Sequence, residues 1–306
     1  MSETANLLAN LQGQMRLAEP MAKHVSWRAG GVAKVFYQPA SVPDLCMFLR
    51  SRPADEPILF VGLGSNLLVR DGGFDGSVVF THHALTGIRQ EGGSQLRPTF
   101  HVAAGVPAPH LARHVAKNGG AGAEWMCGVP GTIGGALAMN AGCYGGETWN
   151  HVIAAETVDR NGNVRLRTPS EYDVGYRHVA LKAPAEEWFL SGVFVFERGE
   201  QAPAMRRMKK LLSQRVASQP LNQPNAGSVF RNPRGDFAAR LIESCALKGV
   251  NIGGAQVSPK HANFIVNTGG ASAQDIESLV DLVQTTVRLR TGVDLVREVR
   301  IVGKAR

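Results

Sequence analysis

Short apolar runs, continuous or alternating, dominate the first two thirds of the chain. They predict strands at 33–37, Ile58–Val61, Leu67–Val69, 78–81, 101–103, 152–158, 164–168 and 189–197. Turn chemistry separates them, as in Asp71-Gly72-Gly73 and Arg160-Asn161-Gly162-Asn163. Helical spacing appears at Val42–Arg50 and 109–118, and residues 5–17 read as a short helix. The last third is richer in helix. Over 203–217, Met205, Met208, Leu211 and Leu212 fall on one face and five basic residues elsewhere. A helix over 236–247 is expected to close with Gly249 at its C′ position. Ser272-x-x-Asp275 opens an amphipathic helix through Ile276, Leu279, Val280, Val283 and Val287, ending at Thr291-Gly292. An alternating strand over 294–302 then places Val296, Glu298, Arg300 and Val302 on one face. Linker-like stretches at 90–95 and 198–203 divide this α+β chain into segments 1–88, 89–199 and 200–306.

One stretch has no such pattern. From Trp125 to Gly146 the chain runs twenty-two residues without a charge, and seven of them are glycine. A membrane helix of that length is filled with large apolar side chains. Glycine at this density costs conformational entropy and marks places where backbone comes close to something. Pro130-Gly131-Thr132 opens a helix here, Gly134 and Gly135 leave its surface bare, and Asn140-Ala141-Gly142 ends it. The N–H groups at such a start suit a phosphate. A second glycine turn, Gly62-Leu63-Gly64-Ser65-Asn66, follows the strand Ile58–Val61, but the strand Leu67–Val69 comes next where a dinucleotide fingerprint needs a helix. It reads as a tight turn or as an anion nest in which Ser65 and Asn66 meet phosphate. Arg28-Ala29-Gly30-Gly31 is a third candidate for ligand approach.

Charge adds a direction. The net of +8 is uneven: residues 1–200 hold 17 Lys/Arg and 18 Asp/Glu, and residues 201–306 hold 16 and 7. The last third therefore carries +9, which fits an anionic partner such as a diphosphate-bearing molecule or a nucleic acid, or else a solvated basic face. Nucleic-acid binding calls for aromatics among the basic residues, and Arg206-Arg207-Met208-Lys209-Lys210 has none. Four well-separated cysteines (Cys46, Cys127, Cys143, Cys245) give neither a metal cage nor a disulfide framework. His110 and His114, at i and i+4, lack the glutamate and third ligand of a zinc site, so no metal is expected. Without a spanning apolar run or a signal-like h-region at 5–17, the expected location is the cytoplasm, away from membrane.

Six motifs together resemble one family, the bacterial UDP-N-acetylenolpyruvoylglucosamine reductases. They are Trp27-Arg28-Ala29-Gly30-Gly31, Gly62-Leu63-Gly64-Ser65-Asn66-Leu67-Leu68, Gly128-Val-Pro-Gly-Thr-Ile-Gly-Gly-Ala136, Asn140-Ala-Gly-Cys-Tyr-Gly-Gly-Glu147, Gly227-Ser228-Val229-Phe230-Arg231-Asn232-Pro233 and Lys260-His261-Ala262-Asn263-Phe264. The resemblance runs in order from about His24 to Gly303. It implies an FAD-binding domain of the vanillyl-alcohol-oxidase (PCMH) type in two subdomains, 1–88 with the N-terminal helix and 89–199, then a substrate-binding domain over 200–306. It also implies noncovalent FAD reduced by NADPH, and hydride transfer to the enolpyruvyl ether of a UDP-sugar, giving UDP-N-acetylmuramate. A monomer acting on these two anionic small molecules is the expectation.

The family's reaction needs a clamp for charge developing on the enolpyruvyl carboxylate and a proton delivered to C2. Arg177 matches its catalytic arginine, Ser228 its proton donor and Glu298 its second charged catalytic residue. Read alone, Arg177 is a loop arginine, Ser228 part of a turn, and Glu298 a partner for a neighbouring cation. The resemblance assigns the cofactor to Gly62, Gly64, Ser65, Asn66 and Leu67 with Gly128, Pro130, Gly131, Thr132, Gly134, Gly135 and Asn140. Asn232, inside the Ser228 motif, is the substrate contact it implies; Arg215 and Lys260 read either as cations for the diphosphate or as solvated side chains, with His261 as a hydrogen-bonding group nearby. Val25 and Val32 stand where the family often has Thr and Pro, and Asn225 lies in a variable stretch before Ser228. Only 51 positions separate Arg177 from Ser228. That spacing leaves no room for the tyrosine-bearing loop of some members, which implies the loop-lacking type II subclass.

Overall fold

A computed structural model describes residues 9–94 and 96–306. The chain divides into two compact units, one of Met1–Arg16, Phe36–Gly62 and Ser77–Ser213, the other of Leu17–Val35, Leu63–Gly76 and Gln214–Arg306. An early four-stranded sheet has the order Gln14–Pro20, Val32–Gln38, Phe74–Phe80, Ile58–Val61. Its last pair is parallel, with Ile58 opposite Ser77. Where a helix was expected over 5–17, Gln14–Pro20 is strand, and residues 1–8 lie outside the described residues. The alternating side chains from Gln14 onward suit a pleated edge better than a helix face.

In the first unit the helix α1, Val42–Arg50, starts at Ser41, whose hydroxyl accepts from the Asp44 N–H at 3.2 Å. A five-stranded antiparallel sheet follows, ordered Val164–Arg167, Val152–Asp159, Glu187–Val195, Pro98–Ala103, Ile88–Gly93. Residues 90–93, expected as linker, thus belong to an edge strand, and Gln95 lies outside the described residues. The other linker-like stretch is taken up by the short strand Glu197–Arg198 and by the start of a helix at Gln201. One face of the sheet buries Phe100, Val102 and Phe194 against α2 (Ala108–Lys117) and α3 (Ile133–Met139), through Leu111, Val115, Ile133 and Leu137. The helix α4, Gln201–Ser218, turns Ala204 and Met208 inward. Met205, expected on that face, is exposed, because Ala204 takes the inward position four residues before Met208.

In the second unit α5 (Ala238–Ser244) and α6 (Ala273–Thr291) pack on the antiparallel sheet Asn251–Ile252, Ala255–Val257, Ile265–Asn267. The core is Trp27, Leu68, Phe230, Ile242, Ile276, Leu279, Val280, Val283 and Val287. Trp27 donates from Nε1 to the Ile265 carbonyl at 2.8 Å, and its own carbonyl accepts from Asn267 Nδ2 at 2.9 Å. The Ser272/Asp275 capping box and the left-handed Gly292 close α6 as predicted. Asp71 adds a second cap, accepting from the N–H groups of Ala273 and Gln274. The helix α5 ends earlier than expected. Ala246, not Gly249, takes the left-handed C′ position (φ +55), and the N–H groups of Ala246 and Leu247 reach the Glu243 and Ile242 carbonyls in a Schellman turn. The final strand is only Arg300–Val302, parallel to Leu67–Val69. Before it, Val229 O accepts from both Glu298 N (2.8 Å) and Val299 N (3.4 Å), which breaks the alternation and turns Val299 inward with Leu295.

Burial pushes the imidazoles of His114 and His151 below their ordinary range, and does the same to His82 and His261. The unfolded chain therefore takes up these protons first as the pH falls. Their contribution to stability is complete above the ordinary value of about 6.5 and is lost below it, down through the folded-state values. The denaturation midpoint is expected to hold steady above about pH 7 and to fall between about pH 6.5 and 5. A midpoint that rises on acidification through that window would contradict the sign.

Candidate active site

The glycine-rich stretch forms α3 and the two turns that flank it. Thr132 is the N-cap of α3 but makes no capping bond, and its Oγ1 is buried with no hydrogen-bond partner in the structure. A Cβ on Gly62 would run into that hydroxyl, so Gly62 lets the turn after Ile58–Val61 close onto Thr132. Gly128 gives similar clearance to Tyr144 and Cys143, and Gly134 to Ala104. Around Gly135 and Gly145 the space is open, and Pro130 is exposed beside the half-buried Gly131. An orphaned buried hydroxyl beside bare helix backbone fits a phosphate-bearing group such as FAD.

Arg28-Ala29-Gly30-Gly31 has another use. A side chain at Gly30 would meet Val69 O at 2.5 Å, and one at Gly31 would meet Asp71 O at 2.6 Å, so these glycines allow backbone to pack on backbone. In the turn 62–66, Gly64 (φ +57) sits against Val25, with 2.7 Å from its would-be Cβ to Val25 Cα. Ser65 and Asn66 are half-buried and Leu67 is buried. Asn66 Nδ2 donates to Glu298 O at 3.1 Å, and Asn66 O accepts from Arg300 N at 3.0 Å.

Arg177 lies in the two-residue turn of the hairpin Tyr172–Gly175 and His178–Leu181, where Gly175 pairs with His178. Its backbone is left-handed, φ +54, at a turn position that normally takes Gly or Asn. Such a conformation for Arg costs about 1–3 kcal/mol and needs outside support. The guanidinium supplies part of it. Nη1 donates to Asn140 O at 3.3 Å, Nη2 to Gly142 O at 2.8 Å, and the group lies over the Tyr176 ring at 5.0 Å. Asn140, expected at the cofactor, is buried, and its side-chain amide is engaged with Glu147, Trp149 and Gly175.

The segments that carry Ser228 and Glu298 are joined through backbone, by Glu298 N donating to Val229 O at 2.8 Å. Ser228 follows Gly227 (φ +76), whose N–H donates to Asn225 Oδ1 at 2.9 Å. Asn225 Nδ2 donates to the Pro220 and Gln223 carbonyls, so this residue of a variable stretch shapes the turn before Ser228. Asn263 grips the other side. Its Oδ1 accepts from Phe230 N at 3.0 Å, its Nδ2 donates to Phe230 O at 2.8 Å, and its carbonyl accepts from Val229 N at 2.9 Å. Val229 O in turn accepts from Glu298 N. Asn263 thus anchors the segment that carries Ser228 and orders the segment that carries Glu298. The sequence placed Asn263 inside a motif but gave it no role, since its partners lie 33 positions away.

The proposed substrate contacts are more scattered. Asn232 is exposed, and its Oδ1 accepts from Ala238 N at 3.1 Å, capping α5. Arg215 Nε donates to Gln219 Oε1 at 2.7 Å, and Lys260 Nζ donates to the Val216 carbonyl at 2.5 Å. These bonds bring both cations to the C-terminal end of α4. His261 is half-buried against Phe264, and its Nδ1 accepts from Asn263 N at 3.3 Å. Burial keeps it neutral near pH 7, so it acts there as a hydrogen-bonding group rather than a charge. His114 packs edge-on to Phe100. Among the described residues no group of three or more His, Cys, Asp and Glu side chains is placed to hold a metal ion, and no helix is long and apolar enough to cross a membrane.

Fold and site together define a flavin-binding protein, and residues 33–166 match the FAD binding domain family. Residues 219–302 match the UDP-N-acetylenolpyruvoylglucosamine reductase C-terminal domain. The chain is 55% identical over 303 residues to the UDP-N-acetylenolpyruvoylglucosamine reductase of Thiobacillus denitrificans, covering 96% of this chain and 94% of that one. It is 53% identical over 293 residues to that of Alkalilimnicola ehrlichii, covering 96% of each. The crystal structure of the reductase from Thermus caldophilus superposes with a TM-score of 0.77 at 29% identity, covering 95% of this chain and 98% of that one. The chain belongs to the UDP-N-acetylenolpyruvoylglucosamine reductase family.

Proposed function

We infer that the protein reduces UDP-N-acetylenolpyruvoylglucosamine to UDP-N-acetylmuramate at the expense of NADPH, a step of peptidoglycan precursor synthesis. The family membership carries this reading, and the orphaned Thr132 hydroxyl beside open backbone supports the cofactor part of it. FAD, when bound, would supply the redox chemistry that carries hydride from NADPH to the enolpyruvyl double bond. Gly62, Gly64, Ser65, Asn66 and Leu67 would hold it together with Gly128, Pro130, Gly131, Thr132, Gly134 and Gly135. Arg177 grips the substrate carboxylate, where a guanidinium offers two parallel donors to the charge that develops. Ser228 gives its proton to C2, and Glu298 polarises the enol or assists that delivery. Asn232, Arg215, Lys260 and His261 bind the UDP-sugar, with the two cations toward its diphosphate.

The same reading takes 1–88 and 89–199 as the two FAD-binding subdomains and 200–306 as the substrate-binding domain. It makes the protein a cytoplasmic monomer of the loop-lacking subclass, with no nucleic-acid or membrane partner. The purified protein is expected to show a flavin spectrum that NADPH bleaches without oxygen and that UDP-N-acetylenolpyruvoylglucosamine restores. Colourless protein, or reduced flavin that this substrate leaves bleached, would sink the reading.

A further inference from the structure

We propose that Asn140 is the positioning residue for Arg177, held in turn by Glu147, so that the end of the glycine-rich stretch sets the turn carrying the guanidinium. The proposal rests on the reading that Arg177 grips the substrate carboxylate. Asn140 is 1% exposed and is the left-handed C-cap of α3, with φ +42. Glycine fills such a position at least as well, so the backbone alone does not call for asparagine. The side chain does. Its Nδ2 has two hydrogens, and both are used: one to Glu147 Oε2 at 3.0 Å, the other to Gly175 O at 3.0 Å. Its Oδ1 accepts from Trp149 N at 3.1 Å. The three bonds fix the plane of the amide.

Gly175 is the residue from which the two-residue turn leaves the hairpin. The Asn140 amide therefore holds the turn at its base, and the Asn140 carbonyl receives Nη1 of the arginine at its tip. One residue holds both ends of the segment that must keep Arg177 in a left-handed conformation. Without the amide, the strained turn has a lower-energy way to relax, and the guanidinium moves with it.

The test uses the FAD-loaded enzyme and Asn140→Gly, which keeps the left-handed cap and removes the amide. Reoxidation of reduced flavin by UDP-N-acetylenolpyruvoylglucosamine is expected to slow by about 10–100-fold, while reduction by NADPH changes by less than about threefold. Amide hydrogen exchange at Tyr176, Arg177 and His178 is expected to quicken in the same variant, without substrate present. Glu147→Gln, which keeps a carbonyl acceptor for the Asn140 amide, is expected to stay close to the parent where Glu147→Ala loses rate. In an Arg177→Ala background, Asn140→Gly should cost nothing more. If Arg177→Ala itself leaves reoxidation unchanged, the role of Arg177 fails and the proposal with it. If Arg177→Ala slows reoxidation and Asn140→Gly does not, only the positioning role is overturned. Equal losses in both half-reactions, or unchanged exchange at the turn, would likewise overturn it.

Discussion

Replacing Ser228 by alanine is expected to leave reduction by NADPH near normal and to slow reoxidation by substrate by about 10²–10⁴-fold, the range general acid catalysis supplies. The structure makes this a clean experiment. Ser228 is half-buried, and the bonds that shape its segment run through its neighbours, from Gly227 N to Asn225 and from Val229 N to Asn263. Alanine removes a hydroxyl and leaves those bonds in place. On the proposed role, hydride arriving at C3 leaves negative charge that the Ser228 proton quenches at C2, and the variant removes that hydroxyl. Stopped-flow measurement of the two half-reactions separates the cases. Equal slowing of both would point to damaged folding, and unimpaired reoxidation would remove Ser228 from the chemistry.

The second large effect is on stability. Asn263 is 3% exposed and satisfies both the N–H and the carbonyl of Phe230, itself buried. Asn263→Ala leaves two buried backbone groups unpaired, at about 1–3 kcal/mol each, for a loss of about 2–6 kcal/mol. That is a large fraction of the usual margin for a folded domain. Because Val229 O holds Glu298 N, the same change should slow reoxidation even well below the melting temperature. A thermal or urea melt checks the first part. A midpoint shift worth less than about 0.5 kcal/mol would show that water or local relaxation satisfies Phe230 instead.

Much of this was legible in the sequence, for identifiable reasons. The strands Ile58–Val61 and Leu67–Val69 and the helix Val42–Arg50 stand where local pattern placed them, because burial on one face writes a period into the chain. The capping box at Ser272 and Asp275 is local chemistry and was legible too. The pattern failed where a distant partner decides the conformation. Residues 294–302 alternate on paper, yet Val229 O binds two successive N–H groups there and resets the period, which no nearby residue announces. The left-handed Ala246 ends α5 three residues before the glycine expected to close it, because the Schellman hydrogen bonds outweigh the Cβ penalty. In the site, Gly62, Gly128, Gly134 and Gly146 do announce close approach, while Gly135 and Gly145 face open space. Glycine does not say what approaches, and at Gly30 and Gly31, outside the stretch, it is the chain's own backbone. The hold of Asn140 on Gly175, 35 positions on, is likewise a tertiary fact.

The parallel pairing of Leu67–Val69 with Arg300–Val302 has a consequence for biosynthesis. The strand at 67–69 leaves the ribosome more than two hundred residues before its partner exists. Trp27 waits slightly longer still for the Ile265 carbonyl, 238 positions away. Until then the nascent chain holds an unpaired strand edge and an apolar indole with nowhere to bury, the kind of surface that chaperones engage. Loss of Arg300–Val302 would therefore strand a segment made near the beginning, and a chain stopped before Arg300 should lower yield as much as one stopped far upstream.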